Sequence, residues 1–272
     1  MMPNFFRRSI IDAGRQVVDE YNEQPRDIKQ IAQILQEISG STVGDYESAL
    51  ELINIHGNQL FDNNGEFEFT PRCILINLIK ATRPPWLSPN QTGRKSVISN
   101  IMNDPESHDI VQCFEDAGLL ESSKDDEVTK WWKLYMKYVV SGEELSNLEI
   151  IGLAGEEKTR KYEREYLISN GINKEIVDIA TEDSRAGYDV LSWRKNGNNI
   201  KERLIESKMT EQKRFFFSRN AYNTASKNQD TYFVYLWTPE AKEPIEITFK
   251  DLIEHIPEDK GKGTWTKVEI NI

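Results

Sequence analysis

Apolar and polar positions follow one rhythm in the first half of the chain and another in the second. Up to about residue 145 the apolar positions recur every three or four residues. Ile28, Ile31, Ile34, Leu35 and Ile38 form such a stripe, with Pro25 before it and Gly40 after it as start and stop signals. Ile11, Val17, Val18 and Tyr21 give a weaker stripe upstream. The run Arg83-Pro84-Pro85-Trp86-Leu87-Ser88-Pro89 breaks the pattern. Beyond it, residues 97–102 and 110–120 predict two short helices, the second stopped by Ala117-Gly118 before the apolar pair Leu119-Leu120. Residues 129–140 predict a further helix, anchored by Trp131, Trp132 and Tyr135, with Tyr138 or Val139.

The second half mixes periods. Residues 156–169 predict a charged helix that ends at Asn170-Gly171, a good C-terminal cap pair. A short apolar run covers 176–180, and residues 188–193 alternate as a strand. Asn196-Gly197-Asn198-Asn199 is a hairpin signal, and residues 200–208 are the returning strand. Residues 218–227 predict a helix, and 231–238 an aromatic, β-branched strand. The order is helix, three strands, helix, strand. The expected class is α/β: a mostly α-helical domain over residues 1–145, then an α/β domain over 146–272, joined by an acidic linker.

Composition narrows the classes. Of the 272 residues, 38% are hydrophobic and 10% aromatic, enough for a globular core. No apolar run approaches the roughly 20 residues of a membrane span. The first residues lack the apolar stretch of a signal peptide. The only cysteines, Cys73 and Cys113, suit a reducing compartment and exclude a Cys-rich zinc site. The expectation is a cytoplasmic protein without a membrane association.

Charge is unevenly spread. The net charge of −11 argues against a generic nucleic-acid binder. Residues 1–150 hold 14 basic and 24 acidic residues, a net of −10, while residues 151–272 hold 20 and 21. The rhythm of the short helices resembles a winged-helix module. However, nine acids stand between Asp104 and Glu127 against Lys124 alone, and they would repel DNA phosphates. Partner binding, target sensing or dimerisation suits that half better. From Arg194 to Arg219 the balance reverses. Arg194, Lys195, Lys201, Arg203, Lys208, Lys213, Arg214 and Arg219 face only Glu202, Glu206 and Glu211. Such a stretch either tracks a phosphate backbone or is a solvated surface.

The candidate chemistry lies within that stretch. Asp189 sits early in one hairpin strand, and Glu206 and Lys208 late in its partner. Residues i and i+2 of a strand share a face, so Glu206 and Lys208 project together, and the hairpin can bring Asp189 near them. Two carboxylates hold a hard cation such as Mg²⁺, and a lysine beside them can orient or deprotonate an attacking water. An exposed cross-strand ion pair leaves the same Glu-x-Lys pattern.

The context resembles the PD-(D/E)XK nuclease core (αβββαβ), and more narrowly the NO VEIN C-terminal domain family. Gly155-Glu156-Glu157 and Tyr162-Glu163 resemble its opening helix, and Gly187-Tyr188-Asp189-Val190-Leu191-Ser192 its "GYDxxS" strand. Ile205-Glu206-Ser207-Lys208 resembles its "IEVK" strand, and Phe217-Ser218-Arg219-Asn220 the start of its second helix. Tyr232-Phe233-Val234-Tyr235-Leu236-Trp237 resembles its closing strand, and His255-Ile256-Pro257 with Gly261, Gly263 and Trp265 a tail of some members. The resemblance covers about 120 residues; residues 1–145 are assigned to no family.

It implies a Mg²⁺- or Mn²⁺-dependent DNA endonuclease of restriction or antiphage defence. Asp189 and Glu206 would be metal ligands, the Ser207 carbonyl a further donor, and Lys208 the water-orienting base. Glu156 or Glu163 would add an acid from the opening helix. Arg203, Lys213, Arg214, Arg219 and Asn220 would contact DNA. Double-strand cutting would call for a homodimer, and the acidic half for a partner protein. Two positions depart from the family: Ala221 stands where a glutamate is usual, and Ser207 where valine is. A catalytically silent module that binds nucleic acid or a partner is the alternative.

Overall fold

A computed structural model describes residues 5–63, 65–84, 86, 91–103, 107–121, 125–141, 147–197, 199–212, 214–259 and 263–272. The chain divides into two compact units, one of residues 1–91 with 97–142, the other of 92–96 with 143–272. The expected boundary near residue 145 falls outside the described residues. The segment 92–96, assigned to the first domain on sequence, groups with the second.

The first unit is built from α1 (Arg8–Glu23), α2 (Ile28–Ile38), α3 (Val43–His56), a 3₁₀ turn at Asn58–Leu60, α4 (Thr70–Thr82), residues 97–102 of α5 (Arg94–Met102), α6 (His108–Asp116) and α7 (Asp126–Ser141). Local chemistry sets their ends. The Asp27 side chain accepts the Lys29 and Gln30 N–H groups, and Thr42 with Asp45 forms a reciprocal capping box. Gly118, at φ +65, closes α6 as the Leu119 N–H reaches the Phe114 carbonyl and the Gly118 N–H that of Glu115.

The core of this unit is aromatic. Trp131 stacks on Tyr135 at 5.5 Å, and Phe114 meets both tryptophans. Each ring's polar atom has a partner: Trp131 Nε1 donates to the Arg72 carbonyl, Trp132 Nε1 to that of Leu119, and the Tyr135 hydroxyl to Gln91 Oε1. The predicted Trp131-Trp132-Tyr135 anchor is therefore the centre of the core. No β-strand occurs among the described residues of this unit, so the wing of the expected winged-helix shape is not found.

The second unit opens with α8 (Asn147–Ser169), then β1 (Val177–Asp178), a short α9 (Ile179–Glu182), β2 (Val190–Asn196), β3 (Asn199–Met209), β4 (Arg214–Ser218), α10 (Arg219–Lys227), β5 (Tyr232–Trp237), β6 (Ile245–Thr248), α11 (Phe249–Ile253) and β7 (Lys267–Asn271). Five strands form a mixed sheet in the order β1-β2-β3-β5-β6. β2 and β3 are the antiparallel hairpin, and β5 joins β3 in parallel after crossing through α10. β4 and β7 pair separately as a two-stranded ribbon that the sequence pattern does not announce.

Each face of the sheet has its own core. Val190, Ile205, Tyr235 and Trp237 pack with Tyr162 of α8 on one side. Leu204, Val234, Leu236 and Tyr232 pack with Ala221 and Ala225 of α10 on the other. α8 comes close to β3 because Gly155 has no side chain: a Cβ there would lie 2.9 Å from Met209 Cβ. Among the described residues no helix is long and apolar enough to cross a membrane.

Candidate active site

Alternation along β3 decides which residues meet. The Ser207 hydroxyl is 2.9 Å from Thr159 Oγ1 of α8, so Ser207 points at α8. Its neighbours Glu206 and Lys208 then point to the opposite face, the one shared with Leu204 and α10. Val190 pairs with Ile205 across the hairpin, which leaves Asp189 one step further, opposite Glu206 and on its face. The structure brings Asp189, Glu206 and Lys208 together.

The backbone around Asp189 is fixed from both sides. Its N–H donates to the Ile205 carbonyl at 2.9 Å, and its carbonyl accepts from Ile179 and Ala180. Its carboxylate accepts the Ser207 N–H at 2.7 Å. The loop before it docks on α10. Thr224 Oγ1 donates to the Ala186 carbonyl, Asn220 Nδ2 to that of Arg185, and the Tyr232 hydroxyl to that of Gly187. Gly187 is required there: at φ +79, a Cβ would lie 2.5 Å from Thr224 Oγ1 and 2.9 Å from the Asn220 carbonyl.

Lys208 Nζ donates to Glu206 Oε1 at 2.6 Å, with the lysine side chain 27% exposed and the glutamate 10%. Burial pulls the ammonium pKa down, but the charges of Glu206 and Asp189 and the Glu206 hydrogen bond outweigh it, so the pKa is held above its ordinary value. Tyr232 senses the same site. Burial first, then the Glu206 and Asp189 charges, keep its hydroxyl far above the usual phenol range.

The acids expected from the opening helix do not join them. Among the described residues no three His, Cys, Asp or Glu side chains gather to hold a metal ion. The reason is geometric, because α8 covers the Ser207 face of β3. Glu163 is fully buried and committed elsewhere: it takes both Arg194 guanidinium nitrogens and the Tyr235 hydroxyl. Glu156 is half-buried beside Gly155. A pair of carboxylates still fits Mg²⁺, which keeps several waters and asks for one or two protein carboxylates.

The expected nucleic-acid contacts are dispersed. The Arg203 guanidinium is buried, paired with Glu246 and stacked 3.7 Å from the Phe233 ring centroid, so it cannot meet a phosphate as expected. Arg219 is tied to Asp259 and to the Trp265 carbonyl. Asn220 holds the 183–188 loop through its amide. Arg214 is 53% exposed and lies 3.4 Å from Glu269. Lys213 lies outside the described residues.

Sequence reasoning missed Tyr232 as a wall of the site. It also missed the chain from Trp237 Nε1 to Thr159 Oγ1 (2.7 Å) and on to Ser207. Tryptophan only donates, so the Thr159 hydroxyl accepts from it and shares a further hydrogen bond with the Ser207 hydroxyl. The Ser207 hydroxyl therefore anchors α8 to the strand between Glu206 and Lys208. A valine could not do this, which gives the departure at this position a structural role.

Residues 155–249 match the family described as Protein NO VEIN, C-terminal. That span runs from Gly155 in α8 to the first residue of α11 and contains Asp189, Glu206 and Lys208. No curated protein and no solved structure gives a significant match to the chain.

Proposed function

We propose, from the NO VEIN C-terminal match and the grouping of Asp189, Glu206 and Lys208, that this chain is a metal-dependent DNA endonuclease. Its second unit would be a PD-(D/E)XK-type core. The order α8, β1, β2, β3, α10, β5 supports that reading. The observation that carries it is the shared face: two carboxylates and one ammonium converge where β2 and β3 meet.

Asp189 and Glu206 would hold Mg²⁺ or Mn²⁺, with the Ser207 carbonyl as a third oxygen. The bound cation would polarise the scissile phosphate and acidify a water. Lys208 starts as an ammonium, so it suits the donor's part better than the base's. It would exchange Glu206 for the attacking water or a phosphate oxygen and offset charge as the transition state forms. Tyr232, kept neutral, would wall the site without competing as an anion. The biological setting we propose is restriction or antiphage defence. A homodimer would place two such sites on a duplex, and the acidic first unit would bind a partner or sense the target.

A second reading is a silent module that binds nucleic acid without cutting. The existing Lys208–Glu206 ion pair favours it, since the site is already partly neutralised. Incubating plasmid with the protein, with and without Mg²⁺, separates the two. Metal-dependent nicking that Lys208→Ala abolishes supports the nuclease; binding without nicking under every metal supports the module.

A further inference from the structure

Beside α10 the second unit carries a row of aromatic rings with cations lying against them. It begins on the β4/β7 ribbon. Phe215 and Phe217 are buried, and the period-2 alternation turns Phe216 outward, where it is 52% exposed. Lys267 of β7 lies over its ring at 4.2 Å, and Arg214 stands two residues away on the same strand face. Ser218, opposite Lys267 in the ribbon, leads directly into α10. The next residue, Arg219, lies 4.0 Å from the Trp265 ring centroid and 5.6 Å from that of Tyr222. Tyr222 meets Trp265 edge-on at 5.4 Å and Phe249 at 6.2 Å. Tyr222 and Phe249 then form part of the lining of a groove of about 530 Å³, with Lys250 and Gln229 among its other walls.

We infer that this row is a track for single-stranded nucleic acid, with bases stacking on Phe216 and against Tyr222 in the groove, and phosphates beside the cations. The inference rests on the nuclease reading only in taking nucleic acid as the substrate. An exposed phenylalanine is costly to hydrate; Lys267 now lies over its ring, and a base would take that place as the ammonium moves to a phosphate. Stacking of this kind strengthens binding by about 5- to 150-fold per base. The charge pattern fits a polyanion: Lys267 and Lys250 are exposed, and Arg214 and Arg219 hold Glu269 and Asp259, which a phosphate would displace. Lys267 lies against Phe216 and Arg219 against the contiguous Tyr222 and Trp265 rings, a pairing of rings with cations that suits base and phosphate units better than an apolar peptide.

The test is fluorescence anisotropy in EDTA, so that no strand is cut, with three labelled probes: a single-stranded oligonucleotide, an abasic strand of the same length, and a duplex. The wild-type protein should prefer the single strand over the abasic strand by about tenfold or more. Phe216→Ala should weaken the single strand on the order of tenfold and leave the abasic strand within about twofold. Tyr222→Ala should do the same, and Tyr222→Phe, which keeps the ring, should restore it. Equal binding of base-containing and abasic strands by the wild type, or wild-type affinity in Phe216→Ala, overturns the track. So does binding of an acidic peptide that competes fully with the single strand and is lost in Phe216→Ala. The nuclease reading fails separately. A protein that binds through Phe216 but cuts nothing with Mg²⁺ keeps the track and loses the nuclease.

Discussion

At the scale of single residues, Lys208 decides what kind of site this is. Its pKa is raised by Glu206 and Asp189 against the opposing effect of burial. A raised lysine pKa stabilises the fold fully below the unfolded value and is lost as pH climbs through the folded one. The Glu206–Lys208 contact should therefore persist through the neutral range and weaken only above about pH 10.5, the ordinary lysine value. A cleavage rate that depends on the ammonium should accordingly show no fall from Lys208 before that pH. A rate that climbs about tenfold per pH unit from 6 to 9 and loses that climb in Lys208→Arg would instead mark a neutral lysine base. Thr159 offers a quieter test. Thr159→Val removes the hydroxyl between Trp237 and Ser207 and leaves the buried indole N–H unmet, at a cost of about 1–3 kcal/mol. Urea unfolding measures it, and a midpoint equal to wild type would mean that the chain of hydroxyls is idle.

Elements show how far the sequence could be read. The hairpin was legible because Asn196-Gly197 and the alternating strands fix its register, and with it the shared face of Asp189 and Glu206. The opening helix was legible, but which of its faces meets the sheet was not. That depends on Gly155 allowing close approach, a tertiary fact, so Glu163 read as a ligand when it is the buried partner of Arg194. The basic stretch failed for a related reason. Charge along the sequence does not tell which side of a strand a side chain takes, and the position of Arg203 on the α8 side of β3 buries it. β4 was missed because Phe215-Phe216-Phe217 has no polar alternation to mark a strand. Two substitutions probe these elements. Arg194→Leu strands the Glu163 carboxylate and should cost about 3–5 kcal/mol in urea unfolding; a loss below about 1 kcal/mol would contradict the buried pairing. Gly187→Ala forces a Cβ against Thr224 and Asn220 and should displace the loop that delivers Asp189. Mn²⁺ affinity, read by calorimetry, should fall, and the melting temperature should drop by several degrees. Unchanged affinity would separate the loop from the site.

For the whole molecule, charge sets the terms of any encounter with DNA. The chain is acidic overall, and among the described basic residues from Arg194 to Arg219, Arg194 and Arg203 are committed to Glu163 and Glu246. Among the described residues of that stretch the exposed cations are Lys195, Lys201 and Arg214. Counterion release through these cations alone gives a salt slope of about −3 on duplex DNA, against about −7 if all eight residues of the stretch engaged. Binding titrated across salt concentration distinguishes the two. The central claim is that Asp189, Glu206 and Lys208 form a cutting site, and its most direct test is supercoiled plasmid incubated with Mg²⁺, wild type beside Lys208→Ala. The expected result is nicked or linear product from the wild type only, none in EDTA, with Lys208→Ala folded and still binding. Equal cleavage by the two proteins would reduce the Glu206–Lys208 contact to an ordinary ion pair and contradict the account.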